Sequence, residues 1–163
     1  MAILPGSFDP PTLGHIDIVE RSCRIFEHVT VAVAINTLKT PIFTADERVS
    51  LLSDVLSGFP QVRIESFEGL LLDYVRSKSN VLSDIVILRG IRSNTDFEYE
   101  LGIAHANKVL DPRIETLFMA TDQKYSYIRS SIIKEIVMLG GSVEKMVPAA
   151  VEHALRKKLT RSR

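Results

Sequence analysis

Residues 28–35, HVTVAVAI, constrain the fold more than any other stretch of this chain. They are β-branched and almost wholly apolar, which is typical of a strand covered on both faces, and such strands belong to parallel sheets packed between helices. Four further runs predict strands in the same alternating pattern: Ala2–Leu4, Val62–Phe67, Ile85–Leu88 and Thr116–Ala120.

Helical patterns separate these strands. They begin at Thr12, Thr44, about Gly69, about Asp96, about Ser130 and about Pro148, and end near Phe26, Leu56, Arg76, Val109, Leu139 and Leu159. Strands that alternate with helices predict right-handed crossovers. We therefore expect a Rossmann-like α/β fold: a doubly wound, parallel, five-stranded sheet with helices on both faces and C-terminal helices, in one domain over residues 1–163. The basic tail, residues 156–163, is interpreted as a solvated helix end.

Composition excludes some functions. Twenty basic and twenty acidic side chains cancel, which argues against a general nucleic-acid or membrane-surface binder. Cys23 is the one cysteine and is interpreted as a small core residue rather than a nucleophile. The first residues enter a strand directly and no apolar run reaches membrane-spanning length, so we expect a cytoplasmic protein.

The turn after the first strand is the first candidate site. It reads GSFDPPTLGH over residues 6–15, and Thr12 is a candidate N-cap that places Gly14 and His15 in the first helical turn. Unpaired N–H groups and the helix dipole favour phosphate there. On these residues alone, an ordinary βα turn with a solvated His15 remains an alternative.

Three more polar clusters follow predicted strands, and the carboxyl ends of parallel strands share one edge of the sheet. Lys39 can follow a phosphate as a flexible point charge, although a lone loop lysine is usually just solvated. Arg89 and Arg92 can grip phosphate oxygens, or can form ion pairs with Asp96, Glu98 or Glu100. Ser130 and Ser131 can cap the next helix and also offer hydroxyls to a triphosphate.

These clusters are rich in cationic donors and lack a Ser-His-Asp relay, a pair of catalytic carboxylates and a Cys/His metal spacing. Such a set suits phosphoryl or nucleotidyl transfer, in which the protein mostly positions the reactants and stabilises charge. The chain contains no Walker A sequence and no G-x-G-x-x-G after the first strand, which disfavours a P-loop ATPase or a dinucleotide dehydrogenase.

The turn resembles the T/H-x-G-H signature of the nucleotidyltransferase superfamily. The segments PGSFDPPTLGHIDIVERS, KTPIFTADERV, LRGIRSNTDFEYE and YSYIRSSIIKEI further resemble, in order, the bacterial phosphopantetheine adenylyltransferase family. This resemblance implies transfer of AMP from ATP to 4′-phosphopantetheine, giving dephospho-CoA and pyrophosphate by direct in-line attack. It also implies Mg²⁺ carried with ATP, a homohexamer and feedback inhibition by coenzyme A.

The resemblance also assigns residues. His15 matches the transition-state stabiliser, and Lys39 and Arg89 match catalytic residues that hold the acceptor phosphate and support the transition state. Ser7 and Leu71 also match positions at the acceptor. The positions implied for ATP are Ser7, Phe8, His15, Gly90, Ile91, Arg92, Glu100, Tyr125, Ser126, Tyr127, Ile128, Arg129, Ser130 and Ser131.

Two questions stay open at this level. Arg129 stands where the family commonly has serine, so it either adds a triphosphate contact or points to solvent. The alternative functions are a sister transferase that uses another phosphate, such as nicotinate mononucleotide, and a non-catalytic module that senses nucleotide or coenzyme A.

Overall fold

The computed structural model describes residues 1–35, 40–78 and 84–159. Its sheet is parallel throughout, in the order β3-β2-β1-β4-β5. The strands are β1 (Ala2–Gly6), β2 (Val29–Ile35), β3 (Val62–Glu68), β4 (Val86–Ile91) and β5 (Glu115–Ala120). The predicted doubly wound α/β class is therefore confirmed.

The helices follow the predicted alternation. They are α1 (Leu13–Ser22), α2 (Ala45–Val55), α3 (Leu71–Arg76), α4 (Asn94–Leu110), α5 (Ser130–Met138) and α6 (Ala149–Leu159), with a short 3₁₀ turn at Gln123–Tyr125. Within the described ranges, no helix is long and apolar enough to cross a membrane. Thr12 caps α1 and Thr44 caps α2, as the sequence predicts, and each cap is a reciprocal capping box.

The first helix is shorter than expected and ends at Ser22 instead of about Phe26. The Ser22 hydroxyl donates to the Ile18 carbonyl at 2.5 Å, and the following backbone continues in turns. A serine that bonds back to the carbonyl four residues earlier weakens the helix at that point. Cys23 and Phe26 nevertheless pack against the core, as their spacing indicates.

The fourth strand is longer than expected. Arg89, Gly90 and Ile91 lie inside β4 rather than after it, paired with Phe118, Met119 and Ala120 of β5. Residues 89–91 pair with β5 and not with β1, so Arg89 lies in the carboxyl-terminal half of β4.

The crevice of the fold opens between β1 and β4, where the strand order reverses. All five residues of β1 pair with β2, but only Ala2 and Ile3 pair with β4. Pro5 has no N–H group to give to β4, and its carbonyl accepts instead from Arg89 Nη1 at 2.7 Å. The two strands thus separate at their carboxyl ends, and ligands of such sheets bind at this position.

Two apolar layers cover the sheet. On one face, Ile18 and Val19 of α1 and Leu52 of α2 pack over β1 and β2, and on the other face Leu72 and Val75 of α3 pack under them. A third cluster joins Phe43 to α5 and α6. These layers hold both walls of the crevice in place.

Candidate active site

A cleft of about 400 Å³ lies at the crevice and brings together most of the residues that the sequence singled out. We call it the main cleft. Its lining includes Ser7, Phe8, His15, Arg89, Gly90, Arg92, Glu100, Ile128, Arg129, Ser130 and Ser131. The polar clusters that follow β1, β4 and β5 therefore meet at one edge of the sheet.

A second cavity of about 870 Å³ continues from the main cleft, and we call it the side cleft. The residues that line both clefts, and so mark their junction, are Pro5, Gly6, Ser7, Arg89, Glu100, Ser130 and Ser131. The side cleft also contains Leu71 and the partly apolar surface of Phe67 and Ile103. A long substrate could thus lie along apolar surface with one end at the junction.

Other predicted positions lie elsewhere. Lys39 is outside the described residues. Ile91 pairs with Ala120 in the sheet. Tyr125 packs against the apolar cluster that joins Phe43 to α5 and α6, the Ser126 hydroxyl donates to the Gln123 carbonyl, and Tyr127 is about half exposed. Ile91, Tyr125, Ser126 and Tyr127 do not line either cleft.

His15 is held in one orientation by the cap of α1. The Thr12 N–H donates to His15 Nδ1 at 3.0 Å, and the Thr12 hydroxyl accepts from the His15 N–H at 3.3 Å. Because Nδ1 accepts a backbone hydrogen bond, the proton of the neutral ring resides on Nε2. The ring therefore offers the cleft an N–H donor.

The surroundings of His15 keep it neutral at pH 7. Burial, together with the positive charges of Arg92 and Arg89, lowers the pKa of His15 to about 4. A bound anion would oppose the effect of both arginines and raise this pKa. His15 is thus arranged to donate a hydrogen bond to negative charge, and not to remove a proton with its Nδ1 atom.

Phe8 fixes the same ring from the other side. It is 2% exposed and meets His15 edge to face, with ring centroids 4.9 Å apart. Its backbone has φ of +47°, a left-handed conformation that a bulky residue adopts only when its surroundings enforce it. A Cβ on Gly6 would lie 3.0 Å from the Phe8 ring, so the glycine makes room for it.

Arg48 anchors the backbone of this turn, although the sequence motifs gave no reason to weigh it. It is 3% exposed, and its Nη1 donates to the Ser7 carbonyl at 2.7 Å and the Ala34 carbonyl at 3.0 Å. A buried guanidinium thus joins the end of β2 to the turn that precedes His15.

The two arginines predicted to bind phosphate are both engaged with acids. Arg89 makes a double contact with Glu100, Nε to Oε2 at 2.6 Å and Nη2 to Oε1 at 2.5 Å. Arg92 pairs with Asp96 at 2.8 Å and also donates to the Ile128 carbonyl at 2.9 Å. Both arginines therefore form the ion pairs that the sequence left as an alternative to phosphate binding. Both also line the main cleft.

The first turn of α5 forms the opposite wall. Its N-cap is Arg129, which makes no side-chain cap, so the expectation that Ser130 or Ser131 caps this helix is wrong. Ser130 is instead the first helical residue, one position too late to serve as the cap. The free N–H groups of this turn make an anion site next to the cleft.

Comparisons with known proteins find relatives of this chain. Residues 3–136 match the cytidylyltransferase-like family. The chain is 48% identical to a phosphopantetheine adenylyltransferase of Geobacter sulfurreducens, covering 97% of this chain and 94% of that protein. It is 47% identical to one of Geotalea daltonii, covering 99% and 98% of the two chains.

A solved structure from Vibrio parahaemolyticus, provisionally assigned as a nicotinate-nucleotide adenylyltransferase, has the same fold. Its TM-score is 0.71 at 19% identity, covering 99% of this chain and 95% of that one. This likeness bears on the fold alone.

Proposed function

This chain belongs to the cytidylyltransferase-like family and, within it, to the phosphopantetheine adenylyltransferases, and from that premise we propose how its two clefts perform the transfer. The substrates are ATP and 4′-phosphopantetheine, and the products are dephospho-CoA and pyrophosphate. A phosphate oxygen of the acceptor attacks the α-phosphorus of ATP, and the bond from that phosphorus to the β-phosphate bridging oxygen breaks as pyrophosphate leaves.

One observation carries the mechanism: a neutral His15 whose Nε2–H group is fixed beside two arginines and an open helix N-terminus. Negative charge grows on the α-phosphate oxygens as the new bond forms. A donor already oriented toward such charge stabilises the transition state without having to reorganise. No covalent enzyme intermediate is needed, because the acceptor phosphate is itself the nucleophile.

We assign the main cleft to ATP and the side cleft to the acceptor. The proposed ATP residues that line the main cleft are Ser7, Phe8, His15, Gly90, Arg92, Glu100, Ile128, Arg129, Ser130 and Ser131. Ile91, Tyr125, Ser126 and Tyr127, which line neither cleft, are proposed for ATP from the family resemblance alone. The acceptor residues are Ser7, Lys39, Leu71 and Arg89. Leu71 and Phe67 would provide apolar surface for the pantetheine arm, and Arg89, which lines both clefts, would contact the acceptor phosphate.

Mg²⁺ is expected to arrive with ATP. The residues lining the main cleft include one carboxylate, that of Glu100, and Arg89 already occupies both of its oxygens. Within the described ranges, no group of three or more His, Cys, Asp or Glu side chains could hold a metal ion. The chain's own donors therefore suit the phosphates, and the ion would be held chiefly by phosphate oxygens and water.

Assembly and regulation follow from the family premise as further proposals. A homohexamer would cover the apolar surface of α4, whose single buried residue is Asn107 and which exposes Tyr99, Val109 and Leu110. Coenzyme A, which contains both the adenylyl and pantetheine groups, would span the two clefts and inhibit by occupying them. A cytoplasmic location, where both substrates are available, remains our prediction.

Pyrophosphate release tests the function directly. The purified protein is incubated with Mg-ATP and, separately, 4′-phosphopantetheine, nicotinate mononucleotide or no acceptor. We expect pyrophosphate to be released only when 4′-phosphopantetheine is the acceptor. Release with nicotinate mononucleotide would make the protein a sister transferase, and nucleotide binding without release would make it a sensing module.

A further inference from the structure

Asp9 is a buried carboxylate on which three separate segments converge. It is 5% exposed, and its Oδ1 accepts from the Phe43 N–H at 2.9 Å while its Oδ2 accepts from the Ile42 N–H at 3.0 Å. The Lys134 ammonium donates to Oδ2 at 2.5 Å. One side chain thus joins the β1–α1 turn, the entrance to α2 and the body of α5.

The three segments lead directly to the reacting groups. Asp9 lies two residues after Ser7 and three before Thr12, the residue that orients His15. Lys134 lies one helical turn after Ser130, on the same helix face. The Asp9–Lys134 ion pair therefore connects the wall that carries His15 to the wall that carries the free N–H groups of α5.

The pair also lies beside the substrate sites. Asp9, Lys134 and Arg48 line the side cleft, together with Ser7 and Ser131. Lys134 keeps about a quarter of its side chain exposed there, but its ammonium is held by Asp9. The ion pair is thus close to the junction of the two clefts. A change in the distance between Asp9 and Lys134 would therefore change the separation of the His15 turn and α5.

Stability alone does not call for this arrangement. Burial works to raise the pKa of Asp9, and the hydrogen bonds from Lys134, Phe43 and Ile42 outweigh it, so the carboxylate stays ionised. Buried ion pairs are often no more stabilising than well-packed apolar side chains of similar volume. What an ion pair does provide is direction, because its donor and acceptor must meet at a defined distance and angle.

We propose that the Asp9–Lys134 ion pair is a positioning device for adenylyl transfer, which fixes the separation of the His15 turn and the N-terminal turn of α5. The proposal rests on the proposed function. The two walls hold different parts of the reacting ATP, so the pair sets the in-line geometry while ATP binding itself depends on other groups. Asp9 and Lys134 are positioning residues and do not touch the reacting atoms.

Lys134→Met tests this proposal, because methionine keeps the length and packing of the lysine stem and removes the ammonium. We expect kcat to fall at least about tenfold, since a displacement of about 1 Å can cost up to 10²-fold in rate. The ATP dissociation constant, measured by equilibrium dialysis, should change less than threefold. Lys134→Arg should restore kcat to within threefold of the wild type, and the exposed Lys145→Met is the matched control.

A double variant guards against misfolding. Lys134→Met leaves Asp9 buried without its cation, whereas Asp9→Asn combined with Lys134→Met removes both charges. We expect the double variant to melt at a higher temperature than Lys134→Met, because it leaves no uncompensated buried charge, although asparagine can accept from only one of the Phe43 and Ile42 N–H groups. It should still show the reduced kcat. Circular dichroism confirms folding before each rate is measured.

The outcomes are distinct. The proposal is overturned if kcat per folded molecule is unchanged in Lys134→Met, if the double variant recovers full kcat, or if the ATP dissociation constant rises in proportion to the loss of rate. The last result would make Lys134 a ligand. A wild-type protein that releases no pyrophosphate would instead overturn the proposed function.

Discussion

The two walls of the main cleft differ in how firmly contacts within the protein hold them. The β1–α1 turn has a reciprocal capping box at Thr12, a buried Phe8 ring and the Arg48 guanidinium on its backbone. The first turn of α5 has an exposed N-cap residue, Arg129, without any side-chain cap. One wall is fixed by its own contacts, and the other leaves its donors free.

This difference matches what each wall would have to do. A group that stabilises transition-state charge is most effective when its orientation is set before the substrate arrives. Groups that bind a triphosphate must instead remain available, because an N–H that already has a partner within the protein has less to offer an anion. Under the proposed function, the turn would therefore serve the chemistry and the first turn of α5 would serve the binding of ATP.

The largest effect should come from removing the fixed donor. His15→Ala should lower kcat by about 10²–10³-fold, as for loss of one donor aimed at developing charge, and leave the ATP dissociation constant nearly unchanged. Steady-state pyrophosphate release and equilibrium dialysis measure the two quantities. His28→Ala, at an exposed histidine just before β2, is the control and should match the wild type. Normal turnover by His15→Ala would show that the His15 turn does not stabilise the transition state, and the two walls would then not differ in function as proposed.

Much of the fixed wall could be predicted from local sequence, because its contacts are local. Thr12 and His15 are three residues apart, so the cap follows from helix geometry and the residue types. The role of His15 as the reciprocal partner in that capping box was not predicted, since glutamate or glutamine is the usual residue there. That bond is what fixes the ring tautomer.

The open wall and the links between the walls could not be predicted in this way. Lys134 and Asp9 are 125 positions apart, and Arg89 meets Pro5 across 84. Their contacts depend on the strand order, which local patterns do not determine. The observed N-cap of α5 precedes the expected serines because Ser130 and Ser131 both suit a cap by residue type, whereas Arg129 is the last residue with extended backbone before the helix.

A second prediction concerns the stability of the fixed wall. The pKa of His15 is about 4 in the folded protein and about 6.5 in an unfolded chain, so the unfolded chain binds more protons between these values. The free energy of unfolding should therefore fall as the pH drops from 6.5 to 4, with a contribution from His15 of at most about 3 kcal/mol. Urea unfolding of the wild type and of His15→Gln, at intervals from pH 7 to 4.5, isolates this contribution.

Glutamine cannot take up the proton, so the variant should lose less stability than the wild type over that range. Parallel curves would mean that the His15 ring titrates as it does in water. Because a bound anion raises the pKa of His15, adding ATP should also shift the wild-type decline toward that of the variant. This change in pH dependence would show that the His15 ring senses the negative charge of bound ATP.

The smallest effect should come from the open wall, at Arg129. A cation at a helix N-terminus opposes the helix dipole, and serine at an N-cap typically stabilises a helix by about 1 kcal/mol relative to alanine. Arg129→Ser should therefore raise the free energy of unfolding by about 1 kcal/mol, measured by urea titration. Arg129→Ala separates the two contributions, because it removes the charge without supplying a cap.

The catalytic consequence of the same change should be modest. The Arg129 side chain is exposed, and an exposed charge pair is worth about 0.2–1 kcal/mol, so we expect the KM for ATP to rise less than about fivefold. A larger rise in both Arg129→Ser and Arg129→Ala would make the guanidinium a principal phosphate ligand. A rise in Arg129→Ser alone would instead show that the new cap occupies an N–H group that ATP requires, because the hydroxyl and the triphosphate would then compete for the same donor.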